Sequence, residues 1–477
     1  MRFSLSTGVL ILVLVAAELP GQEIRHGRVA RLYDTYCASC HLPDLNGGTG
    51  GSLVDGVWKY GADDESVARV IREGLPDAGM PGYGDALSEE QIRSLVVYIR
   101  ERANEAQRYE PPKQSINPDT VRSAGDVRFR LEPVMEEPGI FWGMDFLPDG
   151  RLLVTEISGD LFVVDPETGK RIGPVSGTPR VWHAGQGGLL DVAVHPDYAD
   201  NGWIYLGYSE KIGAFGGMTA VARGRIRNGA WVDQEILFSV EERFAMSGSY
   251  HFGTRIVLRD GYLYFAIGDR GSRDLAQDLT RPNGKIHRLH DDGRIPDDNP
   301  FVDRADAYPT IWTYGNRNPQ GLDLHPETDV LWETEHGPRG GDELNIIRQG
   351  ANYGWPVITH GMNYSGTPIT DRTAAPGMEQ PVVHWTPSIA VCGMAFYTGD
   401  RIPAWTGDLF VTGLVAEELR RVRIRDGEVT EQAVVFKNLG RVRDVADGPD
   451  GFLYVIVNDR RKSPRLPGRI VRLVPEG

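Results

Sequence analysis

Three cysteines occur in the 477-residue chain, and two of them stand in Cys37-Ala38-Ser39-Cys40-His41. This is the C-x-x-C-H spacing that attaches a c-type haem. Two thiols about one helical turn apart add to the two vinyl groups of one porphyrin, and His41 offers its imidazole to the iron. A zinc half-site would need two further Cys or His ligands at similar spacing, and only Cys392 is left, far along the chain. Met80, in Gly79-Met80-Pro81-Gly82-Tyr83-Gly84, is the one methionine between the haem motif and residue 110, and its thioether suits the second axial position. Cys392 reads as a small buried apolar residue. A second set of polar residues recurs in five segments: Gly185-Gln186-Gly187-Gly188, Tyr250-His251-Phe252-Gly253, Gly315-Asn316-Arg317-Asn318-Pro319-Gln320-Gly321, Glu335-His336-Gly337-Pro338-Arg339-Gly340-Gly341-Asp342-Glu343 and Gly440-Arg441-Val442-Arg443-Asp444. Each borders a predicted strand, and folding alone does not call for so many polar groups there.

Helices must position the haem residues. Val29, Leu32, Tyr33 and Tyr36 lie at helical spacing, Ser66 to Glu73 reads as a second amphipathic helix, and Ser88 is placed as the N-cap of a third that runs through Ile92, Leu95, Val96 and Ile99. In order and content residues 24–108 resemble a small class I cytochrome c. Ahead of them, residues 1–22 carry Arg2, the apolar run Val9 to Ala17 and then Glu18 and Pro20, a secretory-signal pattern too short to span a bilayer, which takes about 20 residues. An exported protein without a membrane span, periplasmic or secreted, is the expectation. Residues 109–126 contain three prolines near their start and read as a stiff exposed linker that leaves the separation of the two domains adjustable.

Strands must position the second set. A unit of strand, Asp/Pro/Gly-rich turn and strand recurs six times, beginning near Gly143, Asp191, Arg255, Gly321, Gly393 and Asp444, at intervals of roughly 50 to 70 residues. The pattern predicts an all-β six-bladed propeller over residues 127–477, preceded by the small all-α domain. Arg469 to Val474 would pair with Val127 to Leu131 to close the ring and remove its exposed edges. The polar turns would then converge on the central axis. The 58 glycines supply turns, while a hydrophobic content of 40 % excludes a disordered chain. A formal net charge of −15 argues against nucleic acid as a partner and favours an external electron carrier with a basic surface.

The strings GQGGLLDVAVHPDY, YGNRNPQGLDLHP, EHGPRGGDELNIIRQGANYGWP and GRVRDVADGPDG resemble the soluble aldose, or glucose/sorbosone, dehydrogenases that use pyrroloquinoline quinone (PQQ). The resemblance spans all six repeats and implies a role for each matching residue. His251 would be the general base toward a substrate hydroxyl, with Asp269 orienting it and Arg317 stabilising charge at the reacting quinone. Gln186 would touch both cofactor and substrate, Asn318 and Ser388 would line the cofactor, and Trp385 would line the substrate pocket. Arg441 and Arg443 would pair with quinone carboxylates. The carbonyls of Gly337 and Pro338 would hold a Ca²⁺ beside the quinone, and Glu343 with the backbone of Tyr353 a second, structural Ca²⁺. Two positions depart from the family: Val415 stands where it places a lysine, and Tyr250 where some members carry an acidic residue.

The expected activity is oxidation of a sugar or alcohol hydroxyl at PQQ, with electrons passed singly to the haem c. Two alternatives stand beside it. One is a haem-tethered propeller with a degenerate quinone site acting as a binding module; the other is a cytochrome cd1-like reductase, which requires eight blades.

Overall fold

A computed structural model describes residues 23–107, 116–214, 216–461 and 463–476. The signal-peptide reading and the first part of the linker fall outside them.

The N-terminal domain is helical, as its periodicity predicts. Helices α1 (Glu23–Tyr36), α2 (Ala38–His41), α3 (Asp64–Glu73) and α4 (Glu89–Gln107) enclose a core that includes Val29, Tyr33, Ile71, Ile92, Leu95 and Ile99. Helix α3 starts where the Asp63 carboxylate accepts from the Ser66 amide at 2.8 Å. Helix α4 starts at a reciprocal capping box, in which the Ser88 amide donates to Gln91 Oε1 (2.8 Å) and the Gln91 amide donates to Ser88 Oγ (3.3 Å). Among the described residues no helix is long and apolar enough to cross a membrane.

Among the described residues after 121, strands and loops prevail, broken by one short α-helix, Tyr198–Asn201, and by 3₁₀ turns at Glu242–Phe244, Arg273–Ala276 and Pro403–Trp405. Six antiparallel sheets follow in chain order: residues 141–172, 189–238, 256–314, 319–385 and 391–437, each four-stranded, and a closing sheet that joins strands from both ends of the propeller. The six repeats seen in the sequence coincide with the first strand of each sheet. Pro467–Pro475 pairs with Val127–Pro138 in the register Leu131↔Leu473, which closes the ring as expected. Six sheets also set aside the cytochrome cd1-like alternative. The described part of the predicted linker is more ordered than a free connector. Arg122–Ala124 adds a fifth strand to the closing sheet, and Ile116 packs in the core with Phe129 and Leu131.

The first strands meet at the axis, where each junction between sheets is tied by a side-chain oxygen that accepts a backbone N–H. Asp145 takes Val194 (2.6 Å), Asp191 takes Ile256 (2.8 Å), Asn318 takes Gly253 (3.1 Å), Asp323 takes Phe396 (2.7 Å), Asp447 takes Thr398 (2.8 Å) and Asp444 takes Met144 (3.0 Å). Arg255 lies between two of these carboxylates, 2.9 Å from Asp191 and 2.8 Å from Asp444, with all three side chains buried. Burial works to discharge this guanidinium, and the carboxylates of Asp444 and Asp191 overcome it and raise its pKa. Removing one partner of such a group leaves uncompensated buried charge. Arg255→Met is therefore expected to destabilise the propeller by about 3–5 kcal/mol, read as a lowered denaturant midpoint. The triple variant Arg255→Met, Asp191→Asn, Asp444→Asn should recover part of that loss.

Candidate functional site

The turns before strands Ile256–Arg259 and Pro319–Leu324 and after strand Tyr262–Ile267 bring His251, Arg317 and Asp269 together. His251 sits in the left-handed region (φ 56°), held there by its own amide, which donates to Gln186 Oε1 at 2.9 Å. Its carbonyl lies against Gly268, where any side chain would collide with it. The His251 ring bonds through Nδ1 to Asp269 Oδ1 at 2.6 Å, and Arg317 Nη2 approaches its Nε2 at 3.4 Å. The partners define the tautomer: the proton is on Nδ1, toward the carboxylate, and Nε2 carries the lone pair, which accepts a long hydrogen bond from Arg317. Burial and then Arg317 hold the His251 pKa below its ordinary value, while the Asp269 hydrogen bond works the other way. The ring is thus neutral near pH 7. Asp269 stays ionised, because the bond to His251, the Arg317 charge and the Gly271 amide outweigh the effect of burial.

Arg317 donates through Nη1 to the carbonyls of His336 (2.8 Å) and Gly337 (2.9 Å). The backbone amides of Arg317 and Asn318 both end on Glu335 Oε2. The Asn318 side chain is committed to the ring tie with Gly253. Gln186 is exposed, and with its oxygen on the His251 amide, its NH₂ is available to a ligand. Arg441 and Arg443 share the first strand of the closing sheet, Arg441–Asp447. Arg443 reaches Cys392 Sγ at 3.4 Å, and among the described residues neither arginine is met by a carboxylate. Burial and then the neighbouring Arg443 lower the Arg441 pKa to about 10, so it stays charged.

Two predicted residues lie apart from this group. Trp385 is buried between the sheets with Trp332, Leu344 and Val391, and its indole N–H donates to Gln432. The Ser388 hydroxyl donates to Asp342 (2.8 Å), which also accepts the Gly337 and Val391 amides. Both residues shape the base of the 337–342 loop. At the departures from the family pattern, Val415 is 45 % exposed, and the Tyr250 ring stands edge-on to His251 at 5.7 Å.

Three residues in the site escaped the sequence reading. Trp355 donates its indole N–H to Asp269 Oδ2 at 2.9 Å and so fixes the second oxygen of the orienting carboxylate. Nothing local announces this, since 86 residues separate the pair. His336 lies among Arg317, Arg443, His251 and Arg441, is kept neutral mainly by burial, and has an Nε2 without a hydrogen-bond partner. Glu333 faces Glu343 and Asn345 on the neighbouring strand, with Glu335 directly opposite Glu343. The alternation Glu333/Glu335 and Glu343/Asn345 puts acids on a buried strand face, which is a readable signal for a cation. Burial and mutual repulsion lift the Glu333 and Glu343 carboxyls well above the usual range, and Glu333 Oε1 and Asn345 Oδ1 have no partner.

Unpaired cations and unpartnered polar atoms on the axis fit a planar ligand bearing several carboxylates. The cradle around Glu343 fits a hard cation such as Ca²⁺, with carbonyls completing the shell; no three His, Cys, Asp or Glu side chains form a metal site by themselves among the described residues. Gly337 offers a carbonyl already engaged by Arg317, whereas the Pro338 carbonyl has no partner among the described residues. The Tyr353 hydroxyl is tied to Ile346 and Arg348, so only its backbone is available to a cation.

In the helical domain Cys37 and Cys40 are free thiols, and Cys37 and Met80 border the same apolar core. His41 Nδ1 bonds to the Gly51 carbonyl at 2.7 Å, which leaves Nε2 for a metal. Tyr83 ties the Met80 loop to the end of α1 by donating to the Tyr36 carbonyl at 2.8 Å. The donor set and its apolar surround fit a haem.

Comparison with known proteins agrees with both halves. The Glucose / Sorbosone dehydrogenase family matches residues 135–466, and the family described as Cytochrome C oxidase, cbb3-type, subunit III matches residues 25–99. Aldose sugar dehydrogenase YliI of Escherichia coli (strain K12) is 43 % identical over 336 residues, covering 69 % of this chain and 89 % of that protein. The crystal structure of the soluble aldose sugar dehydrogenase from Escherichia coli in the apo-form superposes with a TM-score of 0.68 at 39 % identity, covering 73 % of this chain and all of that one. The PQQ-bound aldose sugar dehydrogenase of Streptomyces coelicolor gives a TM-score of 0.59 at 26 % identity over 77 % of this chain and all of that one. The chain belongs to the glucose/sorbosone dehydrogenase family, and it carries a cytochrome c domain ahead of the propeller.

Proposed function

We propose that the chain is an exported quinohaemoprotein that oxidises a hydroxyl of an aldose or related polyol in the mouth of the propeller and passes the electrons to its own haem c. The observation that carries this reading is the His251–Asp269–Arg317 cluster at the axis, faced by the unpaired Arg441 and Arg443. Arg441 and Arg443 would hold the carboxylates of PQQ, with Asn318 and His336 beside it. The Pro338 carbonyl, with that of Gly337, would hold the accompanying Ca²⁺. When bound, the quinone supplies the two-electron acceptor that no side chain of this chain provides.

The chain's own residues manage the proton and the charge. His251 Nε2 takes the proton of the substrate hydroxyl, and Asp269 stabilises the imidazolium that results. Trp355 and the Gly271 amide keep Asp269 in place. Gln186 fixes the backbone of His251 and presents its NH₂ to the sugar. Arg317, anchored through His336 and Gly337, sets a fixed positive charge where negative charge develops. His41 and Met80 would ligate the haem iron, with Cys37 and Cys40 bonded to the porphyrin. Glu343, with Glu333, Asn345 and the Tyr353 carbonyl, would hold a structural Ca²⁺. Export to the periplasm or medium and a basic external carrier complete the proposal.

kcat/KM should fall as pH drops through the His251 pKa, placing an acid limb below 6.5, the ordinary value. Asp269 raises that pKa, so Asp269→Asn should move the limb to lower pH and reduce the plateau by about 10³–10⁴-fold through the wrong tautomer. An unmoved limb would remove His251 from the base role. Calorimetric titration of PQQ into the chain with Ca²⁺ tests the anion site. In the double variant Arg441→Ala, Arg443→Ala, the removal of each charge-assisted hydrogen bond should weaken binding by about ten- to hundredfold. Equal affinity for the two proteins, or no binding by the parent chain, would overturn the assignment.

A further inference from the structure

One face of α4 is finished in a way the cytochrome domain does not need. Arg93, Val97 and Glu101 follow one another at a spacing of four, so they form a single stripe: a cation, an apolar residue, an anion. Val97 is only 2 % exposed, although it is no part of the domain's own apolar core, to which its neighbours Leu95, Val96, Tyr98 and Ile99 all belong.

The propeller meets each member of the stripe. Arg93 donates to the carbonyls of Thr359 (3.5 Å) and Thr370. Val97 lies against Gly340, where an added Cβ would sit 3.6 Å from Val97 Cγ1. Glu101 takes the Arg339 guanidinium on both carboxylate oxygens, with Nε at 2.7 and 2.9 Å and a further hydrogen bond from Nη2. The side chains of this pair are 6 % and 18 % exposed. Arg339 is clamped in turn by paired backbone bonds with Met362 at 3.2 and 3.1 Å. Helix α1 adds Val29 beside Gly366.

The loop that receives α4 is also the wall of the candidate catalytic site. Gly337, two residues before Arg339, accepts from Arg317 Nη1, and Arg317 faces His251 Nε2. We propose that the 337–341 loop is a built-in dock and electron exit. It holds the cytochrome domain in one fixed orientation through the Arg93–Val97–Glu101 stripe, and a short bonded path joins the reaction centre to α4. The proposal rests on the reading of the chain as a dehydrogenase that reduces its own haem. Converting one C–OH to C=O releases two electrons and two protons. The protons leave to solvent by way of His251. The electrons leave as two one-electron transfers that each take haem iron from ferric to ferrous, and an external one-electron oxidant reoxidises the iron between them. A domain tethered only by a flexible linker would need a diffusional encounter for each transfer; a docked one does not.

Glu101→Arg reverses the anion of the stripe on the cytochrome side, away from every cofactor residue. In the full haem-containing chain without added quinone, backbone hydrogen exchange at residues 337–341 and 359–370 should quicken by about tenfold or more in this variant. Glu101→Arg with Arg339→Glu should restore protection, and Arg93→Ala should loosen the same segments. With PQQ and Ca²⁺ loaded, aldose-driven haem reduction should slow by about tenfold or more in Glu101→Arg. Oxidation coupled to a small dye acceptor should stay within about twofold. Unchanged exchange together with unchanged haem reduction would overturn the dock. If the parent chain reduces no dye, the dehydrogenase reading fails, and the exchange data alone then decide whether the dock exists.

Discussion

Six first strands converge on one axis, and every N–H that faces a neighbouring sheet there needs an acceptor. Asp145, Asp191, Asn318, Asp323, Asp447 and Asp444 supply one at each junction, and those of Asp191, Asn318 and Asp444 are fully buried. An unmade bond at one of the buried junctions costs about 1–3 kcal/mol, so these residues help decide whether the ring closes. The choice of aspartate has a further consequence. Buried carboxylates require cations, and Arg255 answers two of them. A propeller built in this way has a polar, charged axis rather than an apolar plug, and such an axis can receive a charged planar cofactor.

The site follows from the same constraint one layer further out. Arg317, Arg441 and Arg443 gather at the axial ends of the strands; burial with Arg317 keeps His251 neutral, and burial with all three arginines keeps His336 neutral. Elsewhere in this acidic chain arginines mostly find carboxylates, as Arg223 finds Glu235 and Arg472 finds Glu132 and Glu167. Arg441 and Arg443 do not, and the energetic gap they leave is what an anionic ligand fills. The acidic cradle of Glu333, Glu335 and Glu343 is the converse case, an excess of negative charge that a hard cation relieves.

The parts of this arrangement that were legible in the sequence are those written locally or periodically. Cys37-x-x-Cys40-His41 needs only one turn of backbone, the six repeats announce six sheets, and the need to remove exposed edges anticipates the pairing of Arg469 to Val474 with Val127 to Leu131. The roles of His251, Asp269 and Arg317 came through a family resemblance, and the fold brings all three within reach of one another. Less legible was anything decided by pairing between distant segments. The contacts of Trp385 with Gln432 and of Ser388 with Asp342 span 47 and 46 residues, and no local pattern announces them. Trp355 reaches Asp269 across two sheets. The Arg339–Glu101 pair joins residues 238 positions apart and turns two domains expected on an adjustable tether into one docked unit.

The central claim is that hydroxyl oxidation in the propeller and haem reduction in the helical domain are one intramolecular process. The direct measurement is a single-turnover mix of the quinone- and Ca²⁺-loaded ferric chain with an aldose, following the haem absorption at several protein concentrations. The account predicts reduction of the haem without any mediator, at a first-order rate that does not change with protein concentration. Haem that stays ferric while the aldose is oxidised, or a rate that rises in proportion to protein concentration, would contradict it.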